Sequence, residues 1–150
     1  MGLIADLERT RADTLRHFDA SHDALARRYA PGAWDVRHLL HHLADAETVL
    51  FDRVRRVLSR PGQVVWAFDQ DAWASGLDYA HRPLALSRAL YTASRDGALY
   101  YASRFYESRG ATAFVHSETG LRTLADEFEK VAAHNRHHLD QIERALSQPA

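Results

Sequence analysis

Apolar side chains recur every three or four residues along four long segments of this 150-residue chain, a period that places them on one face of an α-helix. The four segments are residues 3–29, 35–60, 83–109 and 123–147. Each has roughly 25 residues, or about 35–40 Å at the helical rise, so the four helices can lie side by side. The pattern predicts an all-α protein, a four-helix bundle, formed as a single domain over residues 1–150.

Helix-capping residues and aperiodic stretches separate the four segments. Asp35 and Thr123 are predicted N-caps of the second and fourth helices, and Gly110 is the predicted C-cap of the third. Residues 61–82 lack a helical period, so we predict that they form a long crossover between the second and third helices. Residues 111–121 are predicted to form a second loop. A crossover of this length is usually functional or contains a short element of its own.

The composition argues against several classes of protein. Nineteen basic and 20 acidic residues give a net charge of -1, which disfavours a nucleic-acid-binding protein that neutralises many phosphates. No apolar run approaches the roughly 20 residues of a membrane span, and the N-terminal sequence becomes acidic too early for a signal peptide. The absence of cysteine removes disulfides, thiolate metal sites and cysteine nucleophiles. We therefore expect a cytoplasmic protein with neither a nucleic-acid nor a membrane partner.

Two clusters stand out among the ten histidines. The second predicted helix carries His38, His41 and His42, and the fourth carries His134, His137 and His138. The 134/138 pair is four residues apart, so both imidazoles project from one helical face and can share a metal ion. A third nitrogen from the second helix would leave one position open for water or substrate, as in catalytic sites. Nitrogen ligands suit zinc or nickel.

Periodicity narrows the choice of the third ligand but leaves two candidates. His42 lies at the edge of the apolar stripe of the second helix, and His38 lies one turn earlier on the same side. His41 is predicted to point further outward. His137 lies off the line of the 134/138 pair and is predicted to be a surface residue. Spacing alone therefore predicts His42 or His38.

The histidine clusters belong to longer motifs that resemble a known family. Residues 34–47 (WDVRHLLHHLADAE) and 134–142 (HNRHHLDQI) are similar to the two signature motifs of the DinB/YfiT-like superfamily. Residues 68–73 (FDQDAW), Arg95 and residues 116–124 (HSETGLRTL) resemble one subgroup of that superfamily. The resemblance extends over nearly the whole chain.

The resemblance implies a four-helix bundle, often dimeric, with a long crossover between its second and third helices. It implies that the metal ligands are His42, His134 and His138, which selects His42 over His38. Characterised relatives include transferases and isomerases that use a small thiol cofactor, and the family binds zinc, nickel or similar divalent ions. The expectation is therefore a homodimer that binds zinc or nickel and uses a low-molecular-weight thiol as a further cofactor.

The leading hypothesis for function is a metal-dependent enzyme that acts on a small-molecule substrate by hydrolysis or by thiol transfer. In that role the ion would be a Lewis acid. Because the chain lacks cysteine, any thiol must be supplied by a small molecule. The alternative hypothesis is a non-catalytic protein of the stress response that binds a metal or another ligand.

Four polar residues are candidates for roles beside the metal. Glu47 could orient a ligand or accept a proton, but a buried ion pair with Arg95 is the favoured interpretation. His116, in the loop before the fourth helix, is a candidate base or substrate contact, with a structural role favoured. Asp45 and Gln141 each lie three residues from a histidine ligand, and we expect them either to bond to that ligand or to face solvent.

Aromatic residues raise two further alternatives. Five aromatic residues of the connecting segments are expected either to form the wall of a substrate pocket or to cap the end of the core: Trp34, Trp66, Phe68, Trp73 and Tyr79. The predicted inner face of the third helix comprises Leu86, Leu90, Ala93, Gly97, Tyr100, Tyr101, Arg104 and Phe105. The aromatic pairs 100–101 and 105–106 on that helix predict core packing, or a dimer face if they are exposed.

Overall fold

The computed structural model describes residues 2–148, so residues 1, 149 and 150 of the predicted domain lie outside the described chain. Its helices are α1 (Leu3–His17), α2 (His22–Leu25), α3 (Val36–Ser59), α4 (Gln70–Gly76), α5 (Leu84–Arg109) and α6 (Leu124–Ser147). Its strands are β1 (Val64–Val65), β2 (Ala113–His116) and β3 (Gly120–Thr123). Helices α1 and α3 each pack against both α5 and α6, which forms the predicted four-helix bundle. No helix within residues 2–148 combines the length and hydropathy of a membrane span.

The two histidine-bearing helices begin at the predicted caps. The Asp35 carboxylate accepts a hydrogen bond from the backbone N–H of His38, which starts α3. Thr123 and Asp126 form a reciprocal capping box at the start of α6. Because each cap satisfies backbone donors that the first turn leaves unpaired, the sequence near each cap sets where the helix begins.

The first helix is shorter than predicted, because α1 ends at His17 rather than near residue 29. Phe18 is its C-cap, and the Ser21 hydroxyl accepts a hydrogen bond from the backbone N–H of Ala24 to start the separate helix α2. Only the other three bundle helices have the expected length of about 25 residues. The apolar spacing continues beyond residue 18, which led to the prediction of a longer helix. Those apolar residues belong instead to α2 and to the segment that leads into α3.

Both long connections contain secondary structure that periodicity did not predict. The strands form one sheet in the order β1-β2-β3, with Val64 paired to Val115 and Val115 to Leu121. The prediction of an irregular loop over residues 111–121 is therefore wrong, since a β-hairpin occupies most of it. Strand β2 alternates in burial, with Phe114 and His116 turned inward. The sheet joins the crossover to the chain that leads directly into α6.

The inner face predicted for α5 is also wrong. Residues of the buried face are Ser87, Tyr91, Ser94, Arg95, Ala98 and Ala102. Leu86 and Tyr100, which were predicted to be internal, are 50% and 57% exposed. Two of these buried residues meet polar partners on α3: Ser87 contacts His41, and Arg95 contacts Glu47. The exposed Tyr100 is compatible with a dimer face, and the homodimer stays a prediction.

A layer of hydrogen-bonded polar side chains separates two apolar clusters of the core. The polar layer consists of Thr10, Thr14, Glu47, Arg95 and Asn135. One apolar cluster contains Leu50, Val54, Phe128 and Val131, and the other contains Leu39, Leu40, Leu43 and Ile142. Each member of the polar layer bonds to another helix, so the layer connects all four bundle helices.

Candidate metal centre

The structure brings together three histidines from the two capped helices. His42 lies on α3, and His134 and His138 lie one turn apart on α6; we call these three residues the histidine triad. Each offers a ring nitrogen, and the three nitrogens all lie within 4.8 Å of one another. The Nε2 atoms of His42 and His134 are 3.1 Å apart. The triad is the set of ligands that the family resemblance implied.

The spacing of the triad suits a transition-metal ion. Two nitrogens bound to one tetrahedral zinc ion at about 2.0–2.1 Å lie about 3.3 Å from each other, close to the observed separation of His42 and His134. Three imidazoles and no carboxylate make a nitrogen-only donor set, which suits zinc or nickel. The residues present therefore fit a divalent ion with at least one coordination position left for another ligand.

Burial keeps the triad in the uncharged form that a metal requires. Burial lowers the pKa of His42 from 6.5 to about 3, with a smaller contribution from the charge of His138. Burial likewise lowers the pKa of His134 to about 2 and that of His138 to about 4. A neutral imidazole has a free lone pair, so at neutral pH the triad needs to release no proton to bind an ion.

These pKa shifts predict how the stability of the metal-free protein depends on pH. Below about pH 6.5 the unfolded triad takes up protons while the folded triad does not, so the free energy of unfolding falls as the pH drops toward 4. Each histidine contributes up to about 1.4 kcal/mol per pH unit. Urea denaturation between pH 5 and 8 measures the slope, which we expect to be shallower in His42→Gln and unchanged in His22→Gln, whose side chain is exposed. Equal slopes in wild type and His42→Gln would contradict the prediction.

Gln141 orients one histidine of the triad. Its Oε1 lies 2.7 Å from Nδ1 of His138, which leaves Nε2 of that ring for an ion. The Gln141 amide nitrogen in turn lies 3.2 Å from Nε2 of His137. His137 is exposed, as predicted, and Gln141 is the expected hydrogen-bond partner of a ligand rather than a surface residue.

We expect Gln141→Leu to weaken metal binding by about 10–100-fold, because the substitution removes the acceptor that fixes the ring of His138. Competition with a chromophoric chelator measures the affinity. Asp140→Asn is the matched control, since Asp140 is the preceding residue of α6 and is exposed. Equal metal affinity in Gln141→Leu and wild type would show that His138 is oriented by packing alone.

Aromatic side chains surround His42. Its ring lies 5.2 Å from that of Trp34 and stacks on Phe68 at 6.2 Å, and Phe68 contacts Trp73. Part of the predicted aromatic set therefore covers His42, with Trp34 coming from the segment before α3 and Phe68 from the crossover. Trp66 does not share this role, because its side chain is 76% exposed.

A cavity of about 480 Å³ gives access to the triad. Its lining includes His134, His138 and Gln141 from α6, Trp34 from the segment before α3, and Asp71 from α4. This volume suits a small molecule. A larger cavity of about 750 Å³ lies elsewhere on α6, and no residue of the triad lines it.

The other histidines of α3 have different partners. Nδ1 of His38 lies 2.7 Å from the Asp35 carboxylate, so His38 belongs to the helix cap. The prediction that His41 points outward is wrong, because its ring is fully buried and Nδ1 lies 2.7 Å from the hydroxyl of Ser87. Periodicity placed His41 on the outer side of α3 because it could not anticipate the polar face of α5.

The structure places the two acidic candidates of α3 in ion pairs. Glu47 accepts two hydrogen bonds from Arg95, at 2.6 and 2.8 Å, and both side chains are buried. This is the interpretation that sequence analysis favoured. Asp45 is buried too and accepts hydrogen bonds from Tyr79 and Arg82, so both roles predicted for it, a bond to His42 or exposure to solvent, are wrong. Both carboxylates therefore have cationic partners.

His116 lies at the end of β2 and is only 5% exposed. It lines a second, smaller cavity of about 110 Å³ that His134 also lines, which places it beside the triad. Arg53 and Lys130 line the same cavity, and sequence analysis did not select either of them. The spacing could have identified Lys130 as a residue near the triad, because it lies four residues before His134 and so shares its helical face.

The fold and the site together define the class of four-helix bundles that carry a three-histidine cluster between two helices. Within that class the chain belongs to the DinB superfamily, whose family model matches residues 6–142. This confirms the resemblance drawn from the sequence motifs.

Relatives and a solved structure agree with this assignment. The chain is 32% identical over 125 residues to a protein of Oceanobacillus iheyensis named "Putative metal-dependent hydrolase", covering 83% of this chain and 72% of that one. A second protein of the same organism and the same description is 27% identical over 139 residues, covering 93% and 79%. The fold matches YfiT from Bacillus subtilis with a TM-score of 0.85 at 23% identity, covering 95% of this chain and 83% of that one. That protein is described as "a probable metal-dependent hydrolase with an unusual four-helix bundle topology".

Proposed function

We propose that this protein is a metal-dependent hydrolase of a small molecule, with zinc or nickel held by His42, His134 and His138. The observation that carries the proposal is the convergence of three imidazole nitrogens within 4.8 Å of one another, beside a cavity of about 480 Å³. The names of the relatives support the same reaction class.

The residues of the chain have distinct parts in this function. A divalent ion in the triad would act as a Lewis acid that lowers the pKa of water toward neutrality. Gln141 holds the ring of His138 in place, and the rings of Trp34 and Phe68 pack against His42 and exclude solvent from it. Since Glu47 is fully engaged by Arg95, we do not assign it a role in proton transfer.

The same centre could also support a reaction with a thiol nucleophile, and the composition of the chain constrains where that thiol comes from. If the nucleophile is a thiol rather than water, it must come from a small molecule, because the chain has no cysteine. A low-molecular-weight thiol would then bind in the cavity that opens on the triad, and the reaction would be thiol transfer to an electrophile.

Metal-dependent turnover tests the proposal. The protein is loaded with one equivalent of zinc or nickel and assayed with p-nitrophenyl acetate, and separately with L-cysteine plus chlorodinitrobenzene. We expect the loaded protein to accelerate ester hydrolysis, chelation to abolish the rate, and added metal to restore it. If the protein accelerates only the thiol reaction, the proposed function would change from hydrolase to thiol transferase. Acceleration of neither reaction would favour the non-catalytic metal- or ligand-binding protein.

A further inference from the structure

The hydrogen bonds of His116 determine which ring nitrogen carries its proton. Nδ1 accepts from the backbone N–H groups of Glu118 and Thr119, at 3.3 and 3.4 Å. A nitrogen that accepts hydrogen bonds has a lone pair and no proton, so the proton of the neutral ring is on Nε2. Burial lowers the pKa of His116, and the charges of Arg53 and Lys130 lower it further, so the ring is neutral at physiological pH.

The Nε2–H group of His116 is a buried donor with no acceptor among residues 2–148. Leaving such a donor unpaired costs about 1–3 kcal/mol, and buried polar groups are normally paired. His116 and the ligand His134 line the same cavity of about 110 Å³, a volume that suits a group of a few atoms rather than a whole substrate. His116 and His134 therefore border the same small space beside the triad, and the unpaired donor belongs to the His116 side chain.

The charges around this cavity favour a negative group. Arg53 and Lys130 both line it, and Glu118, the one acidic residue of its lining, is exposed. Glu127 offsets part of the charge of Arg53, at 3.4 Å. Glu127 also acts on Lys130, so the two cations are partly offset; both still lie beside the neutral donor, which suits an oxygen that gains negative charge during a reaction.

We propose that this small cavity binds the acyl oxygen of the substrate and that His116 donates a hydrogen bond to it from Nε2, as a catalytic residue. The inference rests on the proposed hydrolase function and changes the role of His116 from candidate base to hydrogen-bond donor. As water adds to the acyl carbon, the π pair of the C=O bond moves to this oxygen, where the bond from His116 is strongest. The C=O bond then re-forms and expels the alkoxide, which takes up the proton lost by the water.

Two substitutions distinguish the hydrogen bond donated by Nε2 of His116 from the structural hydrogen bonds accepted by Nδ1. In His116→Asn the side-chain oxygen can still accept from the backbone of Glu118 and Thr119, but no donor reaches the position of Nε2. In His116→Gln the amide nitrogen reaches approximately that position. Zinc content and the circular dichroism spectrum of both variants are expected to match wild type.

The first readout is the tautomer of His116, measured by nitrogen-15 NMR of the metal-free protein labelled at histidine. We expect the proton on Nε2 at pH 7–9. A proton on Nδ1 would overturn the proposal, because Nε2 would then be an acceptor.

The second readout is the binding of methylphosphonate, a tetrahedral anion that resembles the intermediate of acyl hydrolysis, measured by calorimetry on the zinc-loaded protein. We expect His116→Asn to bind it at least about tenfold more weakly than wild type and His116→Gln to recover most of the loss, with a fall in kcat of about 10²–10³-fold for Asn. Equal affinities would overturn the role of His116. A wild type that takes up no zinc but still binds methylphosphonate through His116 would overturn the proposed function alone. Absence of any binding would overturn both.

Discussion

Replacing His138 by alanine is expected to remove the metal ion from the protein together with the stability that the ion provides. Two imidazoles would remain, and the chelate formed by one turn of α6 would be lost. An ion that binds only the folded chain stabilises it by about 4 kcal/mol at a concentration 1,000 times its Kd. Wild type should show this increase in the free energy of unfolding on addition of zinc, and His138→Ala should show almost none.

Elemental analysis and chemical denaturation with and without zinc measure this effect. His22→Ala is the matched control, because it removes a histidine whose side chain is exposed and outside the triad. We expect about one ion per chain in wild type and in the control. Retention of one ion per chain by His138→Ala, with the affinity of wild type, would place the metal elsewhere.

Replacing Arg95 by methionine is expected to destabilise the bundle by about 3–5 kcal/mol, because it leaves the Glu47 carboxylate buried without its counter-charge. Thr10 and the carbonyl oxygen of Leu7 lose their donor at the same time. For a chain of this size the loss corresponds to a fall in Tm of about 10 °C. Thermal and urea unfolding of the metal-free protein measure it without interference from metal binding.

Two further variants distinguish the buried ion pair from a general effect of losing an arginine. Arg11→Met removes an ion pair with Asp96 at the surface, which should cost about 1 kcal/mol or less. Glu47→Leu combined with Arg95→Met removes both charges and should recover much of the loss. If Arg95→Met were as stable as Arg11→Met, the polar layer would have little part in stability.

Sequence alone predicted the features that depend on nearby residues. Asp35 and Thr123 cap their helices locally, and the pair His134 and His138 faces one way because of helical geometry. Spacing could not separate His42 from His38, since both lie on the same side of α3. The structure separates them through Asp35, which engages His38 as well as the start of the helix. At the level of sequence, only the family motifs selected His42 over His38.

Features that depend on distant partners could not be predicted from periodicity. The buried face of α5 includes Ser87 and Arg95, which meet His41 and Glu47 across the bundle, so an apolar stripe indicated the wrong face. The position of His116 beside the triad depends on a sheet whose strands come from separate connections. The apolar period obscured the break after α1, where Phe18 is the C-cap and Ser21 starts the separate helix α2.

The parallel pairing of β1 with β2 also bears on the order in which the chain assembles. Val64 and Val115 are about fifty residues apart, so their contact closes a long loop, whereas β2 and β3 form a local hairpin. The crossover is therefore expected to dock late in folding and to detach first in partial unfolding. Because Phe68 and Trp73 belong to that crossover, its detachment would uncover His42 while the four long helices stay folded. The rate at which a ligand reaches the centre would then depend on the local stability of a two-residue strand rather than on that of the bundle.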